Sequence, residues 1–109
     1  MKKLRQSKKI LWEILVPRYS NAGREYSIKY HQAWDKQVRS IAGGITILKT
    51  ARGHWISPKG KVIVEEMIPI RIYCTEEAIE KIIGFTLEYY NQQAVFAYEV
   101  SSRVIIKYR

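Results

Sequence analysis

KVIVEEMIPIRIYCTEE, residues 61–77, changes character within a single run. From Val62 to Tyr73 it is dominated by valine and isoleucine, the β-branched residues that suit a pleated, half-buried surface. Pro69 interrupts that run and marks an irregularity, because it has no N–H to give to a ladder. Thr75 then stands ahead of Glu76 and Glu77 as an N-cap. Its hydroxyl can accept from a first-turn amide, and the two acids suit the positive end of the helix dipole. A long strand therefore passes directly into a helix.

Working outward, that helix extends to about residue 91, with Ile79, Ile82, Ile83, Thr86 and Tyr90 on one face. AVFAYEV (94–100) alternates as a strand with Phe96, Tyr98 and Val100 on one side. Val104-Ile105-Ile106 reads as a further edge strand. Upstream, Gly53 to Gly60 form a turn and ITILKTAR (45–52) a strand. Before it, Tyr30, Trp34, Val38 and Ile41 recur at helical spacing over residues 27–41, and Gly43-Gly44 end that helix. Tyr19 to Arg24 is a turn-rich loop, and ILWEILVP (10–17) is a strand closed by Pro17.

The order is β-α-β-β-α-β, with an extra edge strand at the end. Two amphipathic helices on one face of an antiparallel sheet is the α+β, ferredoxin-like arrangement. The 109 residues are about one domain's worth. We divide them into a basic, flexible tail at 1–9 and a single domain at 10–109. The composition is 47% hydrophobic and 27% charged, with 6 Gly and 3 Pro, which excludes a disordered or collagen-like chain. The sheet face away from the helices needs a cover, and a second copy of the chain supplies one. A homo-oligomer, dimer or trimer, is expected.

The net charge is +9, but Lys2, Lys3, Arg5, Lys8 and Lys9 carry five of the positive charges. The rest of the chain keeps fourteen cations against ten anions, a net +4. The tail is read either as a solvated segment or as an arm that contacts nucleic-acid phosphates. Cys74 is the single cysteine, so no intrachain disulfide forms and it reads as a buried small hydrophobe. No apolar run reaches the roughly 20 residues of a membrane span. Glu13 and Pro17 cut short the brief likeness to a signal peptide. A cytoplasmic protein with no membrane partner is expected.

Two histidines and one cysteine, with no ligand pair at helical or hairpin spacing, offer no metal site. His31 reads as a hydrogen-bonded helix residue beside Trp34. No nucleophile elbow or glycine-rich phosphate cradle occurs. The densest polar and aromatic cluster is His54 and Trp55, followed by Glu65 and Glu66. Consecutive strand residues point to opposite faces, so only one of these glutamates can face a pocket. Either both acids are solvated or paired with Arg52 and Arg71, or one is held in an aromatic-walled cleft. In the second case it binds a cationic ligand or moves a proton, with Trp55 as a wall that attracts sulfonium or ammonium. Tyr19 and Asn21 lie on a loop placed for ligand contact. Residues 89–93 form a second polar and aromatic patch that packing and capping account for. The RNA-recognition motif shares the element order, but residues 60–67 lack its stacking aromatics and carry two acids.

Leu15-Val16-Pro17, Asn21 and Gly23, Gly43-Gly44-Ile45-Thr46, Gly53 and Trp55, Gly60 and Val62, Glu65, and Gln93-Ala94-Val95 together resemble a scattered group of small ferredoxin-like proteins. More distantly, the arrangement is similar to the phage-encoded S-adenosylmethionine lyases, also called hydrolases. The resemblance implies an oligomer with its ligand at the subunit boundary. It implies that Trp55 is the aromatic residue, where that family has tyrosine, and that Glu65 or Glu66 is the acid. The implied reaction is attack of the substrate's carboxylate on its own γ-carbon, with 5′-methylthioadenosine leaving and homoserine lactone closing. The acid would hold the ammonium, the aromatic would face the sulfonium, and no cofactor is needed. Two other readings stand beside it: a basic nucleic-acid accessory protein of a mobile element, and a non-catalytic protein-interaction module.

Overall fold

The structure is a computed structural model that describes residues 8–109. Its elements are β1 (Lys9–Pro17), α1 (Ile28–Ala42), β2 (Thr46–Ile47), β3 (Ala51–Ile56), β4 (Val62–Thr75), α2 (Glu76–Tyr89) and β5 (Ala97–Ser101). The ferredoxin-like α+β expectation holds. β4 is the spine of an antiparallel sheet, with β1 on one side and β2 and β3 on the other. β5 closes the far edge against β1.

Both helix starts follow from their caps. The Ser27 hydroxyl accepts from the Tyr30 N–H and the Thr75 hydroxyl from the Ala78 N–H, each at 3.1 Å. Gly43 takes φ 92° at the end of α1 and donates its N–H to the Arg39 carbonyl. The helix faces read from the sequence are the buried ones. Trp34 and Val38 from α1, and Ile79, Ile82, Thr86 and Tyr90 from α2 and its end, pack on Ile14, Val16, Ile70, Ile72 and Cys74 of the sheet. Inside this core the Trp34 indole N–H donates to the Thr86 hydroxyl at 3.0 Å, and that hydroxyl donates to the Ile82 carbonyl at 2.6 Å.

Several strand limits differ from the sequence reading. The expected strand at 45–52 is two strands, interrupted at residues 48–50. β4 keeps its register with β1 straight through Leu15↔Pro69, so the irregularity expected at Pro69 falls on the partner strand instead. There the Leu48 N–H donates to the Pro69 carbonyl at 2.9 Å, and Pro69 has no N–H to return. Residues 53–56, assigned above to a turn, continue β3, and the turn is confined to residues 57–60. The run at 104–106 is not a strand. The Ser101 hydroxyl accepts from the Arg103 N–H and donates to its carbonyl, closing a turn that carries the chain off the sheet. Lys9, placed in the tail above, begins β1 opposite Thr75.

Cys74 is 3% exposed, and burial pushes its thiol up to about 11. The thiolate is the reactive form. Native protein at pH 8 should therefore leave an aromatic disulfide reagent unreacted over the time in which urea-unfolded protein reacts fully. Rapid reaction of the folded chain would contradict the sealed helix layer.

Candidate functional site

β1 ends at Pro17 opposite Met67, whereas β4 starts at Val62. Residues 62–66 therefore have β3 on one side and no strand on the other. The last main-chain link there runs from the Arg18 N–H to the Glu66 carbonyl at 3.2 Å. A groove wraps this free edge. Its larger lobe, about 810 Å³, lies on the open sheet face and is lined by Leu15, Trp55, Ile63, Met67 and Phe96 among others. Its smaller lobe, about 500 Å³, is lined by Tyr19, Ser20, Arg52, Val64 and Glu66 among others. Pro17, Asn21, Glu65 and Gln92 line both lobes and form the wall between them. Each volume lies in the range of roughly 300–1,000 Å³ usual for small-molecule sites.

Register decides how each side chain enters. Gly53 pairs with Glu65 and Trp55 with Ile63, so the indole and the Glu65 carboxylate share the open face. A β-carbon on Gly53 would lie 3.1 Å from the indole Cζ3, which shows that the Trp55 ring folds back over Gly53, the residue opposite Glu65. Trp55 remains 37% exposed, so its ring face is available to a ligand. Glu66 points to the other face, where its carboxylate accepts from the Arg18 guanidinium at 3.1 Å. Among the described residues the Glu65 carboxylate has no intrachain hydrogen bond or ion pair.

The loop wall is fixed from two directions. The Ser20 N–H donates to the Arg24 carbonyl at 2.7 Å, and Asn21 Nδ2 donates to the Asn91 carbonyl at 2.9 Å. Asn91 follows α2 with φ 50°, a left-handed conformation that asparagine tolerates better than most residues. Beneath it, Tyr90 is fully buried and its carbonyl accepts from the Tyr26 hydroxyl at 3.0 Å and from Gln92 Nε2 at 3.1 Å. His31 Nδ1 lies 2.6 Å from the Tyr90 hydroxyl, and burial lowers the His31 pKa. His31 is thus a packed, hydrogen-bonded residue of α1 that supports the groove from behind.

The structure gathers Glu65, Glu66, Trp55, Asn21 and Tyr19 around one groove. It does not bring His54 there: β3 extends through this residue, so His54 faces away from Trp55 and lines neither lobe. The pairing of the acids with Arg52 and Arg71 is also not what forms. Arg18 holds Glu66, and Arg71 Nε donates to Glu13 at 3.0 Å. Glu13 is buried on the open face, where the Tyr98 hydroxyl also donates to it. The groove residues not singled out as ligand contacts include Ser20, Arg52, Gln92 and Gln93. The position of Gln92 just past the end of α2, facing the loop that follows β1, was the available signal.

Among the described residues no cluster of three or more His, Cys, Asp or Glu side chains could hold a metal, and no helix is long and apolar enough to cross a membrane. Lys2, Lys3 and Arg5, named above as a nucleic-acid arm, lie outside the described residues. Lys8 and Lys9 are exposed at the start of β1, with Lys9 Nζ 5.8 Å from the Tyr73 ring centroid.

No family model matches the sequence, and no curated protein matches it significantly. Solved structures do match the fold. A phage SAM lyase in complex with S-methyl-5′-thioadenosine is similar over 94% of this chain and 88% of its own, with a TM-score of 0.66 and 14% identity. The periplasmic divalent cation tolerance protein CutA from Archaeoglobus fulgidus is similar over 91% and 88%, with a TM-score of 0.67 and 10% identity. CutA1 from Oryza sativa is similar over 85% and 78%, with a TM-score of 0.64 and 12% identity. The distant resemblance to phage lyases read from the sequence is therefore matched by a structural likeness, which at these identities is one of fold.

Proposed function

We propose that the groove binds S-adenosylmethionine and cleaves it. One observation carries this reading: the Glu65 carboxylate, which has no partner among the described residues, stands in the wall between two lobes, on the same sheet face as an accessible indole. A sulfonium nucleoside amino acid needs both features. The larger, more apolar lobe suits its nucleoside, the Trp55 ring attracts the sulfonium, and Glu65 holds the ammonium.

The reaction asks little more of the protein. The substrate carboxylate forms a bond to its own γ-carbon as the γ-carbon–sulfur bond breaks, and the bonding pair leaves on sulfur. Neutral 5′-methylthioadenosine departs, and homoserine lactone keeps the ammonium charge. No water, proton or electron has to be supplied. Holding the chain folded so that the carboxylate meets the γ-carbon is the catalysis, and such orientation accounts for large accelerations. A second copy covers the remaining open face around Leu15, Phe96 and Tyr98 and narrows the groove, giving a dimer or trimer. The fold's likeness to a lyase that binds S-methyl-5′-thioadenosine supports the reading.

The test is incubation of the whole chain with S-adenosylmethionine and chromatographic detection of products. Methylthioadenosine and homoserine lactone should appear in equal amounts, well above a heat-denatured control. Release no faster than in that control would overturn the proposal.

A further inference from the structure

The net charge of the chain is not spread over the fold. Residues 10–101 hold eleven Lys and Arg against ten Asp and Glu, a net +1. The other eight cations lie in residues 1–9 and 102–109, which contain no Asp or Glu. The sheet brings the two segments to one end. β1 begins at Lys9 and β5 finishes at Ser101, and these strands are antiparallel neighbours with Leu11 opposite Ser101. Lys8, Lys9, Arg103, Lys107 and Arg109 are exposed, and among the described residues none of them is in an ion pair. Cations gathered without counter-charges repel one another, and a bound polyanion relieves that repulsion. β1 is nine residues long, so at about 3.3 Å per residue this end of the sheet lies roughly 25 Å from the groove beyond Pro17.

Two features indicate which polyanion. Residues 102–109 form no helix, whereas an anchor lying in a membrane surface is a helix with a broad apolar face. The same segment sets an aromatic ring among its cations: Tyr108, between Lys107 and Arg109, is 85% exposed. Cations that track a phosphate backbone, with an aromatic face on which a base can stack, are the components of a single-strand site. We propose that Lys8 and Lys9 together with Arg103, Lys107 and Arg109 bind the backbone of a single-stranded nucleic acid, with Tyr108 stacked on a base. This surface is separate from the groove and goes beyond the function proposed above. The sequence reading placed phosphate contacts in residues 1–9 alone, and the pairing of β1 with β5 adds the C-terminal segment to them. Contacts of this kind read charge and not base sequence.

Fluorescence anisotropy with a labelled oligothymidylate, titrated with the whole chain between about 0.05 and 0.2 M salt, tests the surface. Each phosphate contact on a single strand contributes a slope of about 0.7 in log affinity against log salt. Replacing Arg103, Lys107 and Arg109 together by glutamine should therefore flatten the slope by about 2 and weaken binding roughly a hundredfold at about 0.1 M salt. The thermal midpoint should not move, because all three side chains are exposed. Tyr108→Ser should weaken binding roughly fivefold or more and leave the slope as it was, since stacking releases no counterions. Methylthioadenosine release by the triple variant should equal that of the wild type. No binding of the oligonucleotide, an unchanged slope in the triple variant, or binding to phosphatidylserine vesicles but not to the oligonucleotide would overturn the proposal.

Discussion

Glu65→Gln should lower methylthioadenosine release by roughly a hundredfold, the scale on which small errors of substrate placement act, while folding stability stays within about 0.5 kcal/mol. The amide keeps the size of the side chain and removes its charge. Among the described residues the carboxylate it replaces has no partner within the chain, so no internal contact is lost. What goes is the anion that holds the ammonium and thereby folds the substrate onto itself. Glu66→Gln is the matched comparison. It removes the Arg18 pair, whose side chains are 35% and 32% exposed, and a pair that exposed contributes about 0–1 kcal/mol. Its turnover should remain within a few-fold of wild type. Equal losses in the two variants, or none in Glu65→Gln, would detach the chemistry from the face that Trp55 shares.

The largest stability effect should come from Trp34. This side chain is 1% exposed, spans the space between the helices and the sheet, and gives its indole N–H to Thr86. Trp34→Ala should cost about 3–5 kcal/mol, from lost transfer energy and the cavity left behind. In a domain of this size that corresponds to a fall in thermal midpoint of about 15–30 °C. Trp34→Phe separates the causes. It keeps most of the ring volume and leaves the Thr86 hydroxyl donating to Ile82 but accepting nothing, which should cost about 1–2 kcal/mol. Both are measured at one protein concentration, since subunit association would shift the midpoint. A loss under about 1 kcal/mol from Trp34→Ala would mean that the helix layer is not what holds the sheet.

The helices were legible because their signals are local. Thr75 with its two following acids, the spacing of Tyr30, Trp34 and Val38, and the Gly43 terminator each depend on a few neighbouring residues. The β-α-β-β-α-β order followed from these. Strand limits were less legible, because pairing depends on a partner distant in the chain. Gly53 and Gly60 looked like the two ends of one turn, yet Gly53 stays in the ladder opposite Glu65. Val104 to Ile106 has strand composition but no edge to join once the chain turns at Ser101. At the site, the presence of Glu65, Glu66 and Trp55 in one region was readable from alternation alone. Which acid stayed free was not, since that depends on Arg18 reaching across 48 positions to Glu66. His54 was misplaced because the extra length of β3 turns it to the opposite face. Glu13 counted in the sequence only against a signal peptide, and its pairing with Arg71 and Tyr98 explains how a carboxylate sits buried in β1.

The central claim is that this groove recognises a sulfonium through an indole. Decarboxylated S-adenosylmethionine cannot lactonise, and its thioether counterpart differs only by the methyl group and the positive charge on sulfur. Titrating both into the wild-type chain by calorimetry separates recognition from turnover. The sulfonium should bind roughly tenfold more tightly, consistent with a partly desolvated cation over an aromatic face, and Trp55→Leu should bring the two affinities together. Equal affinity of the wild-type protein for the charged and neutral nucleosides would contradict the account.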